Sequence, residues 1–183
     1  NVISRKDILN IVEHHILHSL SIMKFVSFKP GSVIVDIGTG GGFPAVPLAI
    51  LNPHCSFIAI DSTGKKIKVL STIINNANIK NILPVHGRFE NKKDIKGHYI
   101  LGRAVAPIPQ LIKWTKNRFI HEEIPHPYSP SSLIYLKGSD IENDIIFLEK
   151  NEISYFIYYI GEKIPLPYFK EKTILIILSD TLN

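Results

Sequence analysis

The sequence is poor in cysteine and in long apolar runs, and both shortages exclude classes of protein. Its 183 residues include one cysteine, Cys55, so no disulfide can form within the chain, which is typical of a reducing compartment. No stretch approaches the roughly 20 apolar residues that a membrane-spanning helix needs, and no basic-then-apolar leader opens the sequence. We therefore expect a cytoplasmic protein without a membrane or disulfide partner.

The composition is otherwise ordinary for a globular protein. Hydrophobic residues make up 45% and charged residues 20%, and the net charge of +5 favours a polyanionic partner without requiring one. A chain of this length suits one domain with a substantial core. We expect one monomeric domain over 1–183, with the end of an N-terminal helical extension at 1–28 and the core at 32–183.

Short β-branched runs alternate with helical patterns along most of the chain. Seven runs predict strands, at 33–37, 56–60, 82–85, 99–101, 133–136, 153–160 and 173–178. Alternation of strand and helix implies parallel strands with right-handed crossovers. The proline-rich segment 161–172 lacks helical periodicity, so the last two strands should pair antiparallel. The prediction is an α/β fold, a Rossmann-like sheet of seven mostly parallel strands with an antiparallel terminal hairpin and helices on both faces.

Two of the predicted helices have a clear apolar face. The first begins near Ser4 and Asp7, ends near Phe25, and repeats apolar residues at helical spacing: Ile8, Val12, Ile16, Leu20 and Met23. The second follows the second strand, and its predicted buried face consists of Ile67, Leu70, Ile73, Ile74 and Ala77.

A glycine-rich loop directly follows the first predicted strand. Gly38, Gly40 and Gly42 lie where an open parallel sheet binds its ligand, and glycine lets the backbone turn with positive φ and approach that ligand closely. Asp36 precedes them and is expected to bond backbone amides of the turn. Asp61, at the end of the second strand, can accept both ribose hydroxyls of an adenosine. This pattern predicts a nucleoside-containing cofactor, S-adenosyl-L-methionine.

A dinucleotide cofactor is the competing interpretation of this loop. Gly40, Gly42 and Ala45 satisfy G-x-G-x-x-A in a shifted register. That register places Phe43 and Pro44 where a pyrophosphate needs free N–H groups, and proline has none. The pattern favours a methyltransferase, with an NAD-binding oxidoreductase, a small-molecule methyltransferase and a non-catalytic RNA-binding module as the alternatives.

The segment 36–50 resembles the family of small-subunit (16S) ribosomal RNA guanine-N7 methyltransferases (RsmG, earlier glucose-inhibited division protein B, GidB). Similar segments follow in the family's order over nearly the whole chain, at 61–70, 86–90, 102–106 and 135–138, with Asn1 and 15–20 before them. Two positions depart from the family pattern. Ala45 stands where glycine is usual, and His18 stands where aspartate is usual.

The resemblance implies a role for each matched residue. The implied cofactor-binding residues share the loop and strand-end motifs: Gly38, Gly40, Phe43, Asp61, Phe89, Glu90 and Arg103. Arg88 and Lys137 are implied contacts for the ribosomal RNA or small ribosomal subunit. Guanine N7 has a lone pair and no proton, so no general base is required. His14 and His18 supply two potential zinc ligands, too few for a site, and we expect no metal.

Overall fold

A seven-stranded sheet runs through the computed structural model, which describes residues 7–182. Its strands are β1 (Val33–Ile37), β2 (Ser56–Asp61), β3 (Ile82–His86), β4 (Tyr99–Arg103), β5 (Ser132–Lys137), β6 (Tyr155–Tyr159) and β7 (Thr173–Leu178). The order is β3-β2-β1-β4-β5-β7-β6, and β7 runs antiparallel to both of its neighbours. The seven predicted strands, their mostly parallel pairing and the antiparallel terminal hairpin are confirmed.

Helices join the strands and cover both faces of the sheet. They are α1 (His18–Leu20), α2 (Ala45–Leu51), α3 (Gly64–Asn76), α4 (Ile108–Thr115) and α5 (Glu142–Lys150). A 3-10 turn, Ile8–Asn10, and a π-helical stretch, Ile11–Leu17, lead into α1, and a second 3-10 turn, Ser21–Lys24, follows it. Together they form the N-terminal helical segment. None of the helices formed by residues 7–182 is long and apolar enough to cross a membrane.

The core has two halves, one on each face of the sheet. One face packs against the N-terminal helical segment, α2 and α3, through fully buried side chains such as Ile22, Leu48 and Leu70. The other face packs against α4 and α5 through Leu111 and Leu148. Such two-sided cover explains why β1 and β5 are almost continuously apolar, since a strand buried on both faces has no solvent side for polar residues.

Two predicted helix faces are partly wrong. In the N-terminal segment Ile8, Val12 and Met23 are exposed, because 3-10 and π turns replace the 3.6-residue repeat on which the prediction depended. Ile73 of α3 and Ala77, the residue directly after this helix, are exposed, because only a narrow stripe of the helix rests on the sheet. The predicted helix start at Ser4 and the matched Asn1 lie outside the described residues.

The strand order fixes where a ligand can bind. β1 lies between β2 and β4, so the chain leaves β1 toward one side and later returns to its other side. Ile37, the last residue of β1, is in register with Ile60 and Gly102. The carboxyl ends of the three strands therefore meet at the point where strand order reverses, which is the usual ligand crevice of an open α/β sheet.

Candidate functional site

The loop after β1 is shaped by glycine. Gly38, Gly40 and Gly42 have φ of 64°, 58° and 94°, values that side-chain-bearing residues rarely adopt. A Cβ at Gly38 would lie 2.9 Å from Cγ2 of Val105, which follows β4. The loop at Gly38 therefore needs glycine for its backbone angle and also for its close approach to the neighbouring strand end.

Asp61 holds this loop in place. Its carboxylate is buried and accepts hydrogen bonds from the N–H of Gly40 at 3.0 Å and from the N–H of Thr63 at 2.8 Å. Lys66 Nζ lies 3.6 Å away. An ionised carboxylate has about four acceptor sites, so these two bonds leave room for ligand hydroxyls. Asp61 links the glycine loop to the start of α3 at the rim of the crevice.

Asp36 lies beneath the loop and is fully buried. It accepts a hydrogen bond from the N–H of Ala45, the first residue of α2, at 3.1 Å, so it does bond a backbone amide, although at Ala45 and not at a glycine. Burial raises the pKa of Asp36 to about 7. The side chain of Thr39, buried beside the carboxyl group, acts in the opposite direction and offsets part of this rise.

A first pocket opens beside Gly38, and we call it the acidic pocket. It has a volume of about 170 Å³. Five of its lining residues were predicted to serve the site: Gly38, Asp61, Arg88, Phe89 and Glu90. The structure thus brings together residues from the ends of β1, β2 and β3. Arg88, a predicted RNA contact, is mostly exposed here, and its guanidinium lies 3.6 Å from the Glu90 carboxylate.

Trp114 and Arg118 are members of this region that sequence reasoning missed. Trp114 lines the acidic pocket while also packing against the core. Arg118 is buried, donates to the carbonyls of Lys92 and Ile95, and lies over the ring of Phe89 at 5.0 Å. No motif signals these contacts, because Arg118 supports Phe89 from 29 residues away in the chain.

A second pocket of about 410 Å³ lies at the ends of β4 and β5, and we call it the histidine pocket. The N-terminal helical segment closes one side with His14, His15 and His18. Tyr168 and Lys172, from the segment between β6 and β7, close another. Sequence reasoning assigned none of these five residues to a site, because their approach depends on the packing of distant segments.

Arg103 connects the histidine pocket to the glycine-rich loop. Its guanidinium donates to the carbonyl of His14 at 3.2 Å, lies 2.9 Å from Nδ1 of His15, and lies 5.7 Å from the centre of the Phe43 ring. Since arginine is only a donor, His15 Nδ1 accepts, and Nε2 is left to donate to the Asp7 carboxylate at 2.5 Å. Arg103 is therefore held by neutral acceptors at the edge of the loop.

Lys137 lines the same pocket but is already paired. Its ammonium group is hydrogen-bonded to the carboxylate of Asp144 on α5. The neighbouring Tyr135 hydroxyl accepts from the N–H of Val105 at 2.8 Å and donates to the carbonyl of Ala106 at 3.0 Å. Tyr135 thereby fixes the turn after β4 that carries Val105 against Gly38.

His18 is the most deeply buried histidine of the pocket. Only 4% of it is exposed, and its Nε2 has no hydrogen-bond partner among residues 7–182. Burial lowers its pKa from 6.5 to about 3, and the charges of Arg103 and Lys172 add to the shift. The folded protein therefore keeps His18 neutral, whereas the unfolded chain protonates it below pH 6.5.

His18→Asn should make the protein less sensitive to acid. Because the unfolded state alone binds this proton, the free energy of unfolding falls as the pH drops from 6.5 toward 3. At pH 5 the free energy of unfolding of the wild type should have fallen by about 2 kcal/mol because of His18, and the variant should not show this loss. Urea unfolding of both proteins at pH 7 and pH 5 measures the difference. The control His54→Asn removes an exposed histidine; equal pH slopes for all three proteins would contradict the prediction.

Comparison with known proteins gives one consistent result for the sequence. The model of the GidB family, described as rRNA small subunit methyltransferase G, matches residues 1–151. A ribosomal RNA small subunit methyltransferase G of Phocaeicola vulgatus is 41% identical over 175 residues, which cover 96% of this chain and 81% of that protein. A protein of the same name from Cytophaga hutchinsonii is 44% identical over 155 residues, which cover 85% of this chain and 73% of the relative.

Solved structures agree on the fold. A methyltransferase from Aquifex aeolicus that depends on S-adenosylmethionine (SAM) matches with a TM-score of 0.66 and 15% identity, covering 96% of this chain and 99% of that one. Fibrillarin from Aeropyrum pernix, solved with S-adenosyl-L-methionine bound, matches with a TM-score of 0.61 and 12% identity, covering 88% and 74%. The solved structures and the sheet order show the fold of S-adenosylmethionine-dependent methyltransferases. The family model and the sequence relatives show that the chain belongs to the rRNA small subunit methyltransferase G family.

Proposed function

We propose that this protein transfers a methyl group from S-adenosyl-L-methionine to N7 of one guanine in small-subunit ribosomal RNA. The observation that carries the proposal is the joint geometry of the two pockets. A glycine loop lies between an acidic pocket, suited to hydroxyl groups, and a cationic histidine pocket, suited to anionic groups. Cofactor and acceptor can then approach each other at Gly38 and Phe43.

The residues present fit the cofactor. Asp61 would accept hydrogen bonds from the ribose hydroxyls, and Phe89 and Glu90 would border the adenine. Gly38 leaves room that a Cβ would fill. Gly40 belongs to the same site because its N–H is bound to Asp61.

Arg103 and Phe43 would serve the other end of the cofactor. The guanidinium of Arg103 forms no ion pair with a carboxylate in residues 7–182 and would hold the carboxylate of the methionine part. Phe43, half-buried beside it, would exclude water from that end. The bound cofactor supplies an activated methyl group on a sulfonium, and these residues orient it.

Methyl transfer to N7 requires little acid–base chemistry from the protein. An in-line displacement requires alignment of the N7 lone pair, the methyl carbon and the departing sulfur. Guanine N7 carries no proton at neutral pH, so no side chain has to remove one. The purine becomes cationic on methylation, which makes nearby carbonyls and carboxylates favourable. We assign no general base.

The acceptor guanine would have to be unpaired or flipped out. In A-form RNA the N7 edge faces a deep, narrow groove that side chains do not enter. Arg88 is exposed at the rim of the acidic pocket and would contact the RNA backbone there. Lys137, the other proposed contact, would have to exchange its ion pair with Asp144 for a phosphate.

A labelled-methyl assay tests the proposed function. Small ribosomal subunits that lack the modification are incubated with the enzyme and S-adenosylmethionine carrying a labelled methyl group, and 7-methylguanine is then mapped by chain cleavage. Label at one guanine of the small-subunit RNA is expected, with strong inhibition by added salt because phosphate contacts release counterions. Label only in protein or in small molecules would overturn the proposal. A monomeric state, a cytoplasmic location and the division into 1–28 and 32–183 stay predictions.

A further inference from the structure

The histidine pocket carries a positive charge that its own residues do not neutralise. Lys137 is paired with Asp144, but Lys172 forms no ion pair with a carboxylate within residues 7–182. The acid that lines the pocket is Asp7, which is hydrogen-bonded to His14 and His15 at 2.6 and 2.5 Å. Charges in a partly buried pocket are normally paired. The unpaired positive charge indicates that the pocket binds an anionic group of a ligand.

Lys172 is held where such a group would meet it. It is half-buried, and its ammonium lies 4.8 Å from the centre of the Tyr168 ring. Tyr168 is itself fixed, because His14 stacks on it at 4.0 Å and its hydroxyl lies 3.2 Å from Nδ1 of His18. A lysine positioned over an aromatic face loses less conformational freedom on binding than a free surface lysine.

The pocket also holds an unused hydrogen-bonding atom. Nε2 of His18 is buried and lacks a partner in the described part of the chain. Since buried polar atoms are almost always hydrogen-bonded, such an atom lining a pocket marks a place for a polar ligand. Tyr168 and Lys172 lie beyond residue 151, where the family match ends.

We propose that the histidine pocket receives the acceptor nucleotide and that Lys172, fixed by Tyr168, binds its phosphate. The proposal rests on the proposed function, which makes the acceptor a nucleotide of RNA. It assigns the two cations of the pocket that form no ion pair within residues 7–182 to different ligands, Arg103 to the cofactor's carboxylate and Lys172 to the RNA phosphate. Lys172 then sets the affinity for RNA and takes no part in methyl transfer itself.

The test compares Lys172→Met with Lys170→Met. Met preserves the length of the side chain and removes the charge, and Lys170 is an exposed lysine of the same segment that does not line the pocket. Lys172→Met should raise KM for the RNA substrate about 5- to 10-fold with little change in kcat. The slope of log affinity against log salt should become about 0.7 less steep, the loss of one phosphate contact on single-stranded RNA. Lys170→Met should change neither KM nor the salt slope, and Lys172→Arg, which keeps the charge, should leave both close to their wild-type values.

Ligand binding without turnover separates the possible sources of the anion. Wild type should bind guanosine 5′-monophosphate more tightly than guanosine, and Lys172→Met should abolish that preference. S-adenosylhomocysteine should bind Lys172→Met as tightly as it binds wild type. The same should hold for methylthioadenosine, which lacks the amino-acid part of the cofactor. If Lys172→Met weakens only S-adenosylhomocysteine, the charge serves the cofactor, and the proposal is wrong. An unchanged salt slope or equal binding of the two guanosine compounds by wild type also overturns it. Failure of wild type to methylate ribosomal RNA would instead refute the proposed function.

Discussion

Gly38→Val should reduce the affinity for S-adenosylhomocysteine by about 100-fold or more, which corresponds to about 3 kcal/mol. Valine at φ +64° is strained, because its β-branched side chain collides with the backbone in this region. Its Cβ would also lie 2.9 Å from Val105 Cγ2, and Val105 cannot yield easily because Tyr135 bonds its N–H. The side chain would project into the acidic pocket, where we place the cofactor. Isothermal titration calorimetry measures the loss.

Gly31→Val is the matched control for this experiment. Gly31 also has positive φ, +84°, but a Cβ there meets no heavy atom within 4 Å, and it does not line either pocket. This control should lower the free energy of unfolding by about 1–2 kcal/mol through backbone strain alone. Its affinity for S-adenosylhomocysteine should match that of wild type. If Gly38→Val also binds within about 3-fold of wild type, the loop is not the cofactor site.

Asp61→Asn should weaken cofactor binding by roughly 10- to 100-fold, or about 1.4–2.8 kcal/mol. The carboxylate uses one oxygen for the N–H of Gly40 and the other for the N–H of Thr63. An amide replaces one acceptor oxygen with a donor, so one of these N–H groups loses a charge-assisted bond worth about 1.5–3 kcal/mol. The glycine loop then loses its link to α3, and the ribose loses an acceptor.

Lys66→Met separates this role from simple ion pairing. Lys66 lies 3.6 Å from the Asp61 carboxylate and is partly exposed, and such pairs contribute about 0–1 kcal/mol. This variant should therefore bind S-adenosylhomocysteine within about 3-fold of wild type. A loss equal to that of Asp61→Asn would show that the charge pair matters and that the hydrogen bonds to the loop do not.

The local sequence pattern is sufficient to predict much of the fold. The strands are predicted within about two residues because short β-branched runs bounded by turn residues have few other stable arrangements. The absence of a helical pattern between β6 and β7 predicts their antiparallel pairing, which the structure confirms. Family membership, shown by sequence comparison, also settles the choice between a methyltransferase and a dinucleotide oxidoreductase, which the glycines alone left open.

The two partly wrong helix faces show what the spacing of apolar residues does not predict. The exposure of Val12 and of Ile73 depends on how much of each helix the sheet covers and on local 3-10 or π winding. Neither property is encoded in the spacing of apolar residues, because spacing identifies a face but not the width of the surface beneath it. Tertiary packing decided both.

The acidic pocket and the histidine pocket also differ in how far the sequence predicts them. Gly38 and Asp61 are predictable from sequence because they lie at the ends of parallel strands, and the sheet brings those ends together at one edge. Phe89 and Glu90 were predicted from the family resemblance. The histidine pocket is not predictable, because Lys172 reaches it from beyond β6 and His18 from before β1. The strands determine where the proposed cofactor site lies, and only the packing of distant segments against them creates the second pocket.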